Sequence, residues 1–158
     1  MTLLVSKGEV QPMSRWPQLS PSEQQEKLDQ ITAQVVPTLP DGWQRLVVRV
    51  QMIGKHSEMS SGVLMPDRST RGWSFPPEVW RQFMQLRKGM YSEGAGSWVG
   101  FEYIIDLPGR FTISYNRDAE PTFEAAPTAE DFALENRRFP RSEDTMPDWF
   151  RRGLKDAG

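Results

Sequence analysis

The stretch Arg45-Leu46-Val47-Val48-Arg49-Val50-Gln51-Met52 constrains the fold more than any other part of the chain. Leu46, Val48, Val50 and Met52 fall on one side of an extended backbone, and Arg45, Arg49 and Gln51 on the other. A period of two marks a strand with one buried and one wet face, the pattern of an antiparallel sheet. Val99, Phe101, Tyr103 and Ile105 repeat it, as do Phe111, Ile113 and Tyr115. A weaker strand is read through Met59, Val63 and Met65, after a turn at Gly54-Lys55-His56 and before Pro66. Leu107-Pro108-Gly109-Arg110 reads as a type II turn that makes the last two strands a hairpin.

A sheet with one apolar face needs a cover. Ser20 followed by Pro21 and Glu23 opens a helix by a capping box with proline at its first position, and Leu28, Ile31 and Val35 recur on one side of it. Pro37 and Pro40-Asp41-Gly42 end it. A second helix starts at Pro76-Pro77, with Val79, Phe83, Leu86 and Met90 as its inner stripe, widened by Trp80 and Met84. Two more are expected near 128–137, with Thr128 as cap and Phe132 inward, and from Pro147 to Leu154. The expected fold is therefore α+β, a four-stranded antiparallel sheet packed with helices in the order α-β-β-α-β-β-α-α. Val48, Val50, Phe83, Leu86, Phe101, Tyr103, Phe111 and Ile113 are its expected core. Residues 1–19, with Pro12 and Pro17 and no sustained period, read as an irregular arm of a single domain spanning 1–158.

Only 37% of the residues are hydrophobic, but six Trp and eight Phe carry enough area for a core. A net charge of −2 favours neither nucleic acid nor an anionic membrane as partner. No apolar run approaches the roughly 18 residues that cross a bilayer. The start of the chain shows neither a basic n-region nor a cleavage pattern, so no secretory leader and a cytoplasmic location are expected. With no cysteine, disulfides, thiolate zinc sites and a cysteine nucleophile are excluded.

Chemistry-bearing residues are sparse. His56 is the one histidine and reads as a solvated turn residue; Ser57 and Ser60 near it form no nucleophile elbow. The acid pairs Glu130/Asp131, Glu143/Asp144 and Asp144/Asp148 could serve a hydrolase or a divalent ion, but Glu130, Asp131 and Asp148 fall in first turns of expected helices, where the dipole favours acids. Gly94-Ala95-Gly96-Ser97 lacks a P-loop lysine. No catalytic residue, cofactor site or metal site is assigned. Residues 91–148 hold twelve Asp or Glu against five Arg, which is either a solvated face or a surface shaped for a basic partner.

Several segments in order bear a family likeness: Leu39-Pro40-Asp41-Gly42-Trp43, Trp80 with Arg87 and Met90, Gly96-Ser97-Trp98, and Gly109-Arg110-Phe111-Thr112-Ile113-Ser114-Tyr115-Asn116. The chain resembles the YezG-type antitoxin and immunity proteins, small cytoplasmic bacterial proteins that neutralise polymorphic toxins. The tail, Phe139-Pro140-Arg141 followed by Met146-Pro147-Asp148-Trp149, is similar to the relatives that include the immunity factor for tuberculosis necrotizing toxin. The resemblance covers roughly residues 23–154. It departs at Tyr115-Asn116-Arg117, where relatives commonly carry a second aromatic after the Asp or Asn.

The resemblance implies a one-to-one protein partner, a toxin domain with NAD-glycohydrolase or nuclease activity, whose active site is occluded. A carboxylate-dependent hydrolase and an adaptor without a toxin are the other readings. Two connections are over-provided for linking and are expected to touch the partner. One holds Asp67, Arg68, Arg71 and Trp73; the other holds Ser92, Glu93, Gly94, Ala95, Gly96 and Trp98. Glycines there would let a partner's backbone approach, Glu93 would meet a basic rim, and Trp73 and Trp98 are either aromatic anchors or core. The polar exit Asn116-Arg117-Asp118 reads as scaffold rim rather than as the main contact surface.

Overall fold

A computed structural model describes residues 16–155, so the expectation for the arm falls, over residues 1–15, outside the described residues. Helix α1 (Pro21–Val35) carries the full capping box between Ser20 and Glu23 and continues into one 3-10 turn at Val36–Thr38. Strands β1 (Arg45–Ile53), β2 (His56–Leu64) and β3 (Thr70–Arg71) follow, then α2 (Pro77–Gly89), β4 (Gly100–Asp106), β5 (Arg110–Asn116), α3 (Ala129–Arg138) and α4 (Asp148–Lys155). The sheet is antiparallel and has five strands in the order β3-β2-β1-β4-β5.

Three expectations are corrected. The fifth strand comes from the connection read as a loop. Asp67 accepts from the Ser69 N–H at 2.9 Å, Arg68 takes a φ of 70°, and this tight reversal lays Thr70 and Arg71 against Leu64 and Val63. His56 is no turn residue: Gly54 and Lys55 alone turn the chain, and His56 opens β2 opposite Ile53. Half-buried, it sits 2.9 Å from Glu58 and edge-on to Phe123. The β4–β5 turn is shifted by one residue. Gly109 donates to Asp106 O at 2.8 Å across a cis Leu107–Pro108 bond, a type VI arrangement instead of type II.

One face of the sheet packs under α1 and α2. Val48, Val50, Phe83, Leu86, Phe101 and Tyr103 are buried there as expected, with Phe111 and Ile113 half-buried against them. Phe83 stacks on Phe101 at 4.5 Å between centroids, and the Thr32 and Tyr103 hydroxyls bond to each other beneath α1. The second face is covered at one end only. There Ile53, Val99, Phe132 and Phe150 form a smaller core under α3 and α4. Elsewhere Arg45–Asp106 and Arg49–Glu102 pair across exposed strands, at 2.6 and 2.7 Å.

Register separates the two connections singled out above. Arg45 lies opposite both Leu64 and Asp106, while Gln51 lies opposite Gly100. Residues 67–73 therefore leave one end of the sheet and residues 92–98 the other, about 20 Å apart at the rise of a strand. They form no single patch.

Candidate interaction surface

The lobe at the β1–β2 turn end is built from residues 92–98 and 139–148. Ser92 donates to Gly96 O at 2.9 Å and Ala95 to Ser92 O at 2.8 Å, closing a small loop. Gly94 and Gly96 make this possible with φ of 78° and 76°, a region in which side chains are costly. The room left beside Gly96 is used by the chain itself: a Cβ there would lie 2.7 Å from Arg141 Nε. Gly94 O accepts from the Ser142 N–H at 2.7 Å and from the Thr145 hydroxyl at 2.5 Å.

Arg141 is the bolt of this lobe. Its guanidinium reaches Asp118 at 2.9 Å, Arg117 O at 2.6 Å and Ser97 O at 3.4 Å, and lies over the Phe150 ring. Beneath it, Arg87 and Glu135 form an ion pair shut away from water. Arg87 Nε donates to Trp98 O at 2.9 Å, Glu135 accepts from the Gly54 N–H at 3.0 Å, and Ser97 Oγ donates to Arg87 O at 2.5 Å. Fixed this way, the loops lose little freedom when something binds them.

The polar exit from β5 belongs to the same frame. The Asn116 side chain closes a turn with Ala119, donating to its carbonyl at 2.8 Å and accepting from its N–H at 2.9 Å. Arg117 donates to Met90 O at 3.1 Å, and Asp118 O accepts from Trp149 Nε1 at 2.8 Å. Burial pushes the Tyr115 hydroxyl up to about 12, so it stays neutral at the base of this exit.

Glu93 is exposed, and the tie between Gly94 and Ser142 sets it beside a second exposed pair, Glu143 and Asp144. From the sequence, Glu93 is expected at a contact surface, whereas Glu143 and Asp144 read as a carboxylate pair for a hydrolase or a divalent ion. The adjacency of the two loops depends on a contact between segments nearly fifty residues apart, for which the sequence holds no local signal. The twelve acids of residues 91–148 are otherwise largely spent within the molecule. Glu102, Asp106, Asp118, Glu120, Glu135 and Asp148 stand in ion pairs, and Asp131 caps α3.

Trp98 is 1% exposed, edge-on to Phe101 and stacked with Tyr115. As an aromatic anchor for a partner it is corrected to a core residue. Ser92, Gly94 and Ala95 are half-buried and Gly96 is buried, so Glu93 carries the outward chemistry of this segment. At the other end, Asp67, Arg68 and Arg71 are exposed, and the Ser69 hydroxyl and N–H hold the Asp67 carboxyl below the usual carboxylate range. Trp73 is half-buried against the main core, edge-on to Phe75, and its Nε1 donates to Thr38 at 2.9 Å.

No protein-family model and no curated protein matches the chain. Among the described residues no three His, Asp or Glu side chains stand close enough to hold a metal ion, and no helix is long and apolar enough to cross a membrane.

Proposed function

We propose that this chain is an immunity protein of the YezG type, which binds a cognate toxin domain one-to-one in the cytoplasm and occludes its active site. The observation that carries the reading is the acidic lobe: Glu93, Glu143 and Asp144 exposed on two loops that are bonded together and locked by Arg141. Enzymes that act on NAD or on nucleic acid must hold phosphates, so their clefts are rimmed with cations. Exposed carboxylates on two loops locked together complement such a rim in either case, and charge complementarity speeds encounter and excludes wrong partners. The family resemblance supports the same assignment.

Co-expression tests it. Toxin domains encoded beside this gene should arrest growth when expressed alone and lose that effect in the presence of this chain, and a stable one-to-one complex should co-purify. Growth arrest that persists with both proteins soluble, and no complex on gel filtration, would overturn the reading.

A further inference from the structure

Between β5 and α3 the chain crosses the end of the sheet as a strap that is pinned along its course. Gln51 donates to Thr122 O at 2.5 Å and accepts from the Thr122 N–H at 2.8 Å. Glu58 accepts from the N–H groups of Glu124 and Ala125 at 2.8 and 3.1 Å. Between this strap and helices α3 and α4 lies a cleft of about 480 Å³, within the range of about 300–1,000 Å³ typical of small-molecule sites.

The lining is specific in chemistry. Phe132 and Trp149, with rings 6.4 Å apart and 64° to each other, and Phe123 supply aromatic walls. Arg152 and Glu120 supply the two charges, 3.4 Å apart, each more than 60% exposed. Exposed ion pairs of this kind are worth little, so the two groups can part around a ligand at small cost.

We propose that this cleft binds a small zwitterion with an aromatic body, of the class of a free aromatic α-amino acid. Arg152 takes the carboxylate, for which its fork of donors is shaped, Glu120 takes the ammonium, and the ring packs edge-to-face or offset against Phe123, Phe132 and Trp149. The opposed charges set the selectivity. A simple aromatic anion brings its charge up to Glu120 and a simple aromatic cation up to Arg152, whereas a zwitterion meets an opposite charge at both. The residues used here are not the carboxylates assigned to the toxin, so the two proposals stand or fall separately.

Calorimetric titration of the full chain with L-tryptophan and L-phenylalanine tests the site. Saturable one-to-one binding is expected. N-acetyl-L-tryptophan, which lacks the ammonium, and L-tryptophan amide, which lacks the carboxylate, should each bind about tenfold more weakly or worse. Arg152→Ala and Glu120→Ala should each weaken L-tryptophan by a similar factor, with circular dichroism unchanged because both side chains are exposed. The proposal is overturned if neither amino acid saturates, if indole binds as tightly as L-tryptophan, or if either variant keeps the full affinity.

Discussion

Arg87 and Glu135 meet at 2.6 Å with 3% and 1% of their side chains exposed, joining α2 to α3 across 48 residues of sequence. Taking two charges out of water costs several kcal/mol each, so such a pair survives only when its remaining donors and acceptors are also used. Here both Glu135 oxygens are taken, by Arg87 and the Gly54 N–H, Arg87 Nε donates to Trp98 O, and the Trp98 and Phe139 rings lie against the guanidinium.

Removing one partner strands the other. Glu135→Ala should lower unfolding stability by about 3–5 kcal/mol in urea titration. The double variant Arg87→Met with Glu135→Leu should lose clearly less than the sum of the two single changes.

Phe83 is fully buried, stacked on Phe101 and edge-on to Tyr103. Phe83→Ala should cost about 3–5 kcal/mol by the same measurement, because aromatic truncation in a packed core leaves a cavity.

Gly96 combines a φ of 76° with the Arg141 side chain at its back. Gly96→Ala should cost about 1–3 kcal/mol, from left-handed backbone strain and displacement of the guanidinium. Toxin binding should weaken with it, since the acidic lobe loses its bolt. Gly72, where an added Cβ meets nothing within 4 Å, provides the control: Gly72→Ala should leave both quantities near their starting values.

The Glu58 carboxyl is held below the usual carboxylate range by the N–H groups of Glu124 and Ala125. A depressed folded-state pKa means that this anchor stabilises fully above the unfolded-state pKa and is lost as pH falls through the folded one. Amide exchange of Glu124 and Ala125, corrected for intrinsic rates, should accelerate as the solution is acidified below the carboxylate range. Glu58→Gln should flatten that dependence.

Glu93→Arg should weaken the cognate toxin by more than about tenfold in calorimetry, with no comparable loss of stability. Reversing Glu143 and Asp144 as well should weaken it further and should reduce the association rate most at low salt. An unchanged dissociation constant for Glu93→Arg would move the interface elsewhere.

Local rules were readable where local physics decides. The Ser20–Glu23 box, the Thr128 cap, the alternation of β1 and β4 and the inner stripe of α2 all stand in the structure as their spacing implies. β3 escaped because two residues carry no period, and because its pairing rests on a reversal at Asp67 and Arg68. Trp98 was ambiguous for a different reason: a tryptophan after a glycine-rich loop can face either way, and only the packing of Phe101 and Tyr115 around it settles the matter. Arg141 reads as an ordinary tail arginine until the fold brings Ser97 and Asp118 to it.

The reach of Arg141 also has a temporal side. Ser97 precedes it by 44 residues, which at synthesis rates of about 5–20 residues per second is roughly 2–9 seconds of ribosome time. Until that arginine has been added, the glycine loop has no guanidinium behind it, and Glu143 and Asp144 do not yet exist beside Glu93. The acidic surface is therefore a late product of translation: a chain that stops before position 141 holds the residues of β1 to β5 but not Arg141, Glu143 and Asp144.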